Sequence, residues 1–464
     1  MSRTVRVAVE GCCHGELHKI YAEINKLPQK SRPELLIICG DFQSLRSPND
    51  FSSLAVPDKY KRLGDFSAYY REKSKAPVLT IFVGGNHEAS NFLSEIPYGG
   101  WVAPNIYYMG LSSVLWYKGL RIGGISGIYN EHNFYKPRTE TAPFDRSSLR
   151  SVYHTRFAEF LKMSLIRDKS INCFMSHDWP EGIVHHGDTR RLLKIKPFFK
   201  TDIDKGELGS PPARELLKRL MPHYWFSAHL HVKFEATVNH EIDEEASMKR
   251  KLSDSASNAV KKPKNDDEID LDFDKDIPAP AIEQTTPLNN DEIELDIEDH
   301  QGTTSSNHEE IELDLDSTDA SSKTDEINID SSKSTSIPIA PQALAKGFSQ
   351  TNFLALDKVI PGRGFMEFLE IPVTNEHPSA NDSDLWYDME YIKITKWFDK
   401  FKRGQGFQRL SMESVTPDLI DQLCKDIDLV KMPADLKLKV PKNFKPNLKN
   451  PSLQTEQFKK TFGM

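Results

Sequence analysis

The sequence contains no uninterrupted apolar run of about 18 residues, the length that a helix needs to cross a bilayer. Its amino terminus also lacks the apolar stretch and small-residue cleavage site of a secretory signal. Cysteine is scarce: five are present, an odd number, and most lie in apolar segments. We therefore expect no membrane partner and no disulfide framework. The cysteines should be core residues or ligands in a reducing compartment.

The formal net charge of −8 conceals a strong segregation of charge along the 464 residues. Residues 1–240 carry 33 basic and 24 acidic residues, whereas residues 265–330 carry 2 basic and 23 acidic residues. Twelve of the 15 histidines precede residue 241. A basic segment rich in histidine favours metal or proton-transfer chemistry and permits a polyanionic partner. Chance placement of surface histidines is the alternative interpretation.

Composition divides the chain into three parts. Residues 1–240 contain short runs of Val, Ile, Phe and Cys that predict buried strands, with a helical pattern at Glu16–Leu27 completing a βαβ unit. They are expected to form an α/β catalytic domain. Residues 241–340 hold one aromatic residue and are rich in Ser, Thr, Asp, Glu and Pro, which predicts an acidic disordered linker. Residues 341–464 regain aromatic residues.

The last part is predicted to be a small C-terminal helical module. Helical patterns occur around Asp388–Lys402 and Pro417–Val430. The stretch 431–464 is rich in lysine and interrupted by prolines, which predicts an extended basic tail.

The linker carries two signals of its own. Alternating acidic and aliphatic residues recur at 267–274, 291–299, 309–316 and 325–330. These repeats are either a solvated linker or docking elements for a protein partner. Two basic clusters within 249–264 fit a bipartite nuclear import signal, which predicts a nuclear location, with the cytoplasm as a further site.

Five short polar motifs each follow a predicted strand. They are Gly11-Cys12-Cys13-His14-Gly15 after Val5–Glu10, Gly40-Asp41-Phe42 after Leu35–Cys39, Gly84-Gly85-Asn86-His87-Glu88 after Val78–Val83, His177-Asp178 after Ile171–Ser176, and Ala228-His229-Leu230-His231 after Tyr224–Ser227. Because the carboxyl ends of strands in an open α/β sheet meet at one edge, all five motifs can converge.

These residue types suit a pair of divalent cations. Asp41 can bridge two ions through its two carboxylate oxygens, and neutral imidazoles suit zinc, iron and manganese. Asn86 adds a neutral carbonyl oxygen. His229 and His231 would point to opposite faces of an extended strand, so a turn there is expected if each reaches a different ion.

The ordered set of motifs resembles the calcineurin-like metallophosphoesterase superfamily. Within it, GCCHGEL, GDFQ, GGNHE, SHDWP, SAHLHVKF, GGISGIYN and TNFLALDKVIPGR are similar to the eukaryotic RNA lariat debranching enzymes. The resemblance covers roughly 1–240 and 341–400 and omits the linker. It implies an α/β fold of the metallophosphoesterase type, a β-sandwich flanked by helices. Most superfamily members have Asp at the position of Cys12, and a cysteine there is a feature of the debranching branch.

The resemblance also implies two divalent metal ions, Fe²⁺, Zn²⁺ or Mn²⁺. One would be held by Cys12, His14, Asp41 and His231, and the other by Asp41, Asn86, His177 and His229. Cys12 could instead be a weak or occasional ligand. A thiolate would favour zinc or ferrous iron over magnesium.

The implied reaction is hydrolysis of the 2′–5′ phosphodiester bond at the branch point of excised lariat intron RNA, by a metal-activated hydroxide. The product is linear intron RNA for turnover. His87, beside Asn86, is the candidate general acid for the leaving 2′-oxygen. An alternative is that His87 only orients the phosphate.

An insertion at 128–156 interleaves aromatic and basic residues, a pattern that stacks unpaired bases and neutralises phosphates. The candidate RNA-binding residues are Tyr129, Asn130, His132, Tyr135, Lys136, Arg138 and, outside the insertion, Arg190. A surface loop followed by an amphipathic helix is the structural alternative.

Two other functions remain open from sequence. A calcineurin-like phosphoesterase could act on another phosphodiester or on a phosphoprotein. A non-catalytic scaffold could keep the fold and bind partners through the acidic repeats, but such a protein should have lost ligands, and every expected ligand position is filled.

Overall fold

The computed structural model describes residues 3–240, 347–433, 436–442 and 451–464. The predictions made for the linker, its acidic repeats and its basic clusters lie outside the described residues. None of the described helices is long and apolar enough to cross a membrane.

Strands in the described residues form two sheets. The strands are β1 (Thr4–Glu10), β2 (Leu35–Ile38), β3 (Leu79–Phe82), β4 (Gly100–Ala103), β5 (Ile106–Tyr108), β6 (Ser112–Tyr117), β7 (Leu120–Ile125), β8 (Cys173–Ser176), β9 (Tyr224–Ser227), β10 (Phe234–Asn239), β11 (Gln350–Ala355), β12 (Met366–Pro372) and β13 (Trp386–Tyr387). The first sheet has the strand order β12-β1-β2-β3-β5-β4 and the second the order β10-β11-β9-β8-β7-β6-β13.

Helices surround the sheets. They are α1 (Leu17–Lys26), α2 (Phe66–Tyr70), α3 (Ser90–Leu93), α4 (Glu131–Phe134), α5 (Arg146–Ser151), α6 (Phe157–Ser164), α7 (Thr189–Ile195), α8 (Phe199–Lys205), α9 (Pro211–Leu220), α10 (Met389–Phe401), α11 (Gln405–Gln408), α12 (Pro417–Asp428) and α13 (Leu453–Phe462). Short 3₁₀ turns lie at Gln29–Ser31, Pro48–Ser53, Asp58–Tyr60, Ile183–His186 and Pro378–Asn381.

The two sheets pack face to face around an apolar core. Val7 of β1 and Ile37 of β2 belong to the same buried cluster as Met175 of β8 and Phe226 of β9. The outer face of the first sheet is covered by α1, and that of the second by α6 and α9. This arrangement confirms the expected α/β sandwich flanked by helices.

Residues after 347 supply strands to both sheets, which the sequence analysis did not predict. Strand β11 lies between β9 and β10, parallel to the first and antiparallel to the second. Strand β12 pairs with β1 along seven residues, and β13 pairs with β6. The helical patterns at Asp388–Lys402 and Pro417–Val430 are confirmed as α10 and α12. The short strands escaped detection because their pairing partners are more than 100 residues away.

The predicted extended tail is wrong for residues 453–462, which form α13. Phe458 and Phe462 are one helical turn apart and buried, and the Phe458 ring stacks on Tyr98 at 4.8 Å. Gln454 also accepts from the backbone N–H of Trp101 at 2.8 Å. An i, i+4 aromatic pair therefore docks the lysine-rich stretch as a helix.

A buried ion pair joins the C-terminal residues to the second sheet. Arg121 on β7 is 1% exposed, and its guanidinium donates to both oxygens of Asp388, at 2.9 and 3.1 Å. Asp388 also accepts from Trp116 Nε1 at 2.8 Å and caps α10 by accepting from the Tyr391 N–H at 2.9 Å. Burial alone would raise the pKa of Asp388, but Arg121 holds it below its ordinary value.

Replacing Asp388 by Ala should lower the free energy of unfolding by about 3–5 kcal/mol, because the Arg121 charge would lose its main partner in a dry environment. The control is Asp399→Ala on the same helix, which removes ion pairs to the more exposed Lys402 and Arg403. The control should cost less than about 1 kcal/mol. Denaturant unfolding followed by circular dichroism measures both, and equal losses would contradict the importance of the buried pair.

Candidate metal centre

The five motifs lie where parallel strands of the two sheets end. Strands β1, β2 and β3 come from the first sheet, and β8 and β9 from the second. Because both sheets direct these ends to the same edge of the sandwich, the side chains that follow them meet. One group is especially close: its ligand atoms all lie within 4.8 Å of one another, and its members are Cys12, His14, Asp41 and His231.

In this first group, donor atoms face each other around a small polar space. His14 Nε2 lies 3.1 Å from His231 Nε2 and 3.7 Å from Asp41 Oδ2. Cys12 Sγ accepts a hydrogen bond from the backbone N–H of His229 at 3.2 Å. The buried Nδ1 of His231 has no hydrogen-bond partner among the described residues. Nitrogen, sulfur and oxygen donors at these separations fit a divalent cation.

A second group shares the Asp41 carboxylate. His177 Nε2 lies 3.4 Å from Asp41 Oδ1 and 3.1 Å from Asn86 Oδ1. The His177 Nδ1–H donates to the Cys39 carbonyl at 2.8 Å, which leaves Nε2 facing the centre. The ring of His229 lies 5.0 Å from that of His177. Asp41 thus presents one oxygen to each group, as a ligand shared by two cations would.

Charge and burial prepare these side chains to bind cations. Burial would raise the pKa of Asp41, but His177 and His87 hold it well below its ordinary value, so the carboxylate stays ionised. Burial lowers the pKa of His14 to about 4 and that of His229 to about 3. Neutral imidazoles are the form that binds metals. Burial and Asp41 raise the pKa of Cys12, so its thiolate needs a nearby cation.

The backbone bends sharply at several of these residues. Positive φ angles occur at His14 (45°), Asp41 (47°), His229 (62°) and His231 (47°), a conformation that costs free energy in residues other than glycine. His229 and His231 therefore lie on a turn, as the sequence analysis required. Close packing also explains Gly40, because a Cβ there would overlap the His177 ring.

His87 lies beside the shared carboxylate. Its backbone N–H donates to Asp41 Oδ1 at 2.8 Å, and its Nδ1 lies 3.0 Å from Asp41 Oδ2. Burial would lower the pKa of His87, but the Asp41 carboxylate raises it above the ordinary value. About a fifth of the side chain is exposed. His87 thus contacts the shared carboxylate through both its backbone and its ring.

Glu88 is a site residue that the sequence analysis quoted without a role. Its carboxylate accepts hydrogen bonds from the backbone N–H groups of Phe42, Gln43 and Gly85, at 2.8, 2.9 and 3.1 Å. Burial, with the nearby Asp41 charge, raises its pKa to about 8. Glu88 therefore ties the loop after β2 to the loop after β3. In the sequence, the position of Glu88 directly after His87 was the signal that could have identified it as a site residue.

The insertion at 128–156 divides its candidate residues into two sets. The Tyr129 ring is partly buried and packs edge to face on Phe134, with ring centroids 5.4 Å apart, and its backbone N–H donates to Asp178 Oδ2 at 3.2 Å. Asn130 is buried and caps α4. The Arg138 guanidinium also turns inward, to the backbone carbonyls of Val152 and His154. The exposed candidates are His132, Tyr135 and Lys136, together with Arg190 on α7.

Lys358 is a further residue at the centre that sequence reasoning did not single out. Its backbone forms a β-bridge with Cys12, and the Cys12 N–H donates to the Asp357 carbonyl at 3.4 Å. The Lys358 ammonium contributes to the lowered pKa values of His14 and His231, after burial. Only the pairing of β11 with β9 brings this residue to the centre, so motif spacing could not reveal it.

Both the first part of the chain and its C-terminal part are similar to known protein families. Residues 5–233 match the calcineurin-like phosphoesterase family, and residues 348–462 match the lariat debranching enzyme C-terminal domain. The chain is 41% identical to a lariat debranching enzyme of Schizosaccharomyces pombe, over 95% of this chain and 89% of the relative. It is 40% identical to one of Saccharomyces cerevisiae, over 84% and 82% respectively. A human lariat debranching enzyme is 51% identical over 53% of this chain and 45% of its own length.

Replacing Cys12 by Ser should change which cation the centre prefers, because a hydroxyl is a poor substitute for a soft thiolate. We expect Zn²⁺ and Fe²⁺ affinity to fall by about 10-fold or more, with a smaller change for Mn²⁺. Metal content after dialysis against each ion, and calorimetric titration, measure this.

Cys13→Ala is the matched control, since Cys13 is equally buried but packs among apolar residues beside α1. Equal metal preference in both variants and the parent protein would contradict a ligand role for Cys12.

Proposed function

The chain belongs to the lariat debranching enzyme family, and from that premise we propose that it hydrolyses the 2′–5′ phosphodiester bond at the branch point of lariat intron RNA and releases linear RNA. It is a metal-dependent phosphodiesterase by family and fold. The observation that carries the proposal is the intact cluster of donors at the strand ends, in a chain whose similarity extends through both matched regions. A scaffold that had lost catalysis would not be expected to retain that cluster.

The phosphoesterase fold implies a dinuclear divalent metal centre. We propose Fe²⁺, Zn²⁺ or Mn²⁺ as the ions, because the donors mix sulfur, nitrogen and oxygen. When bound, the pair activates water and stabilises the charge that develops on the phosphate. The first ion would be held by Cys12, His14, Asp41 and His231, and the second by Asp41, Asn86, His177 and His229.

His87 is proposed as the general acid. It is outside the implied ligand set and partly exposed, and it contacts the carboxylate that both ions would share. A proton delivered from the ring to the 2′-oxygen of the branch nucleotide would make that oxygen a better leaving group. The backbone N–H and the ring Nδ1 of His87 both contact the Asp41 carboxylate, which fixes the ring beside the ligands.

Recognition of the RNA is proposed to involve the exposed part of the insertion. Tyr135 is 51% exposed, and Lys136 and His132 are exposed beside it. The insertion is fastened next to the centre because the Tyr129 N–H donates to Asp178, the neighbour of His177. The Tyr135 ring suits an unpaired base, and the Lys136 ammonium suits a phosphate.

The location and a protein partner are also proposals. The basic clusters within 249–264 support nuclear import, and a fluorescently tagged chain without that segment tests it. The acidic repeats support a protein partner, which co-purification with and without residues 265–330 tests.

Replacing His87 by Gln should reduce kcat on branched RNA by about 10²–10⁴-fold while leaving bound metal unchanged. The assay uses an RNA with 2′–5′ and 3′–5′ linkages at one adenosine, with Mn²⁺, Zn²⁺ or Fe²⁺ supplied in turn. His186→Gln is the control, since His186 is an exposed histidine outside the centre. A near-normal rate for His87→Gln would remove the acid role. Cleavage of simple phosphodiesters by the parent protein without cleavage of the branch would reject the proposed substrate.

Replacing Tyr135 by Ala should raise KM for branched RNA by about 10-fold, because base–aromatic stacking would be lost. KM for a small aryl phosphodiester should not change. Tyr135→Phe keeps the ring and loses the hydroxyl, which accepts from the Met412 N–H at 3.2 Å, so it separates stacking from that contact. A stacking role would be contradicted if Tyr135→Ala and Tyr135→Phe raised KM for branched RNA equally, or if Tyr135→Ala raised KM equally for both substrates.

A further inference from the structure

An exposed aromatic residue follows helix α7. Phe198 is 56% exposed, and Ile195 beside it is 48% exposed. The Phe198 ring meets the buried Phe199 edge to face, with ring centroids 4.8 Å apart. Contact with Phe199 therefore fixes one side of the Phe198 ring, while much of its remaining surface is exposed to solvent. A single exposed ring is common on protein surfaces, so the role of Phe198 depends on the groups around it.

A basic side chain lies against this ring: Lys196 Nζ is 5.6 Å from the centre of the Phe198 ring. The loop between β11 and β12 carries two further cations, Lys358 and Arg363, and Arg363 pairs with the buried Asp357 at 3.4 Å. Within the described part of the chain, no ion pair engages Lys196 or Lys358. Further exposed cations on and after α7 are Arg190, Arg191, Lys194 and Lys200.

This surface is continuous with the metal centre. Lys358 is bridged through its backbone to Cys12. Burial lowers the pKa of Lys196, the charges of Arg363 and Lys358 lower it further, and the Asp357 carboxylate opposes them, so these charged groups lie near one another. Three cations and one carboxylate, which pairs with Arg363, therefore lie between Cys12 and the Phe198 ring.

The surface reaches the centre at a different point from the insertion. The insertion is attached through Asp178, beside His177, which belongs to the second ligand group. Lys358 is instead bridged to Cys12, which belongs to the first group. A branched RNA has strands leading away from one nucleotide in several directions, so a single recognition surface leaves at least one strand unsupported.

We propose that Lys196, Phe198, Lys358 and Arg363 form a second RNA surface, which binds one single-stranded arm of the branched substrate. A base stacks on Phe198, and the cations contact the phosphates between that base and the scissile bond. The sequence-tolerant combination of a ring and cations fits an arm whose sequence varies from intron to intron. The inference rests on the proposed debranching function.

The test compares Phe198→Ala with Phe368→Ala. Phe368 is a second exposed phenylalanine, 42% exposed, on the edge strand β12, where it pairs with Ala8. Kinetics are measured on a branched RNA with several nucleotides in each arm, on versions with one arm trimmed at a time, and on an aryl phosphodiester. Fluorescence anisotropy with a labelled single-stranded RNA measures binding without cleavage.

Phe198→Ala should raise KM for the full-length branch by about 10-fold, and this effect should vanish when one particular arm is trimmed. Its rate on the aryl phosphodiester should match that of the parent protein. Phe368→Ala should behave like the parent on every substrate. Lys196→Gln should weaken RNA binding and flatten its salt dependence, because a phosphate contact would be lost.

Three results would overturn the proposal: no dependence on any arm, equal effects of the two phenylalanine variants, or unchanged RNA binding with loss of binding to an acidic peptide such as DEIELDIED. The last would assign the surface to a protein partner. If the parent protein fails to cleave the branch but Phe198→Ala still weakens single-stranded RNA binding, the debranching function fails while the RNA surface stands.

Discussion

The buried carboxylate of Asp41 is the constraint around which the centre is arranged. A charge that is 1% exposed is costly unless donors and cations surround it, and here the His87 N–H and the imidazoles of His14 and His177 lie within 4 Å of its oxygens. The backbone of Asp41 has a positive φ angle where its side chain enters the centre. Gly85 must lack a side chain, because a Cβ there would overlap the Asp41 carboxylate. Local strain and close packing thus serve the binding of cations.

Much of this centre could be predicted because it follows from local rules. Motifs placed directly after buried strands must meet at the edge where those strands end, and Asp41, Asn86 and His177 do so. Residues whose position depends on distant pairing could not be predicted. Lys358 reaches Cys12 only through β11, and Arg138 turns inward only because backbone carbonyls lie within its reach. A sequence pattern records residue type but not the direction in which a long side chain points.

The pairing of β10 with β11 explains how the chain accommodates its acidic segment. Asn239 and Gln350 are paired neighbours at the ends of two antiparallel strands, so residues 240–349 connect two strands that lie side by side. Loop-closure entropy rises only with the logarithm of length, so replacing a four-residue turn by roughly 110 residues costs about 3 kcal/mol. The buried Phe353, Leu354 and Ala355 of β11 can offset such a cost. A long connection between β10 and β11 is therefore compatible with the pairing of these two strands.

Selectivity for a branch cannot come from the cations, because a two-metal centre stabilises the same phosphate charge in any phosphodiester. It must come from groups that hold the strands around the scissile bond. The chain provides such groups from two separate segments: the insertion beside His177, and the loop after β11 beside Cys12. The second segment lies far along the sequence, yet its strands are hydrogen-bonded into both sheets. Small shifts of the loop after β11 would move Lys358 relative to the metal ligands. Because the strands on both sides of this loop belong to the sheets, the loop is held rigidly enough to position Lys358 against the RNA.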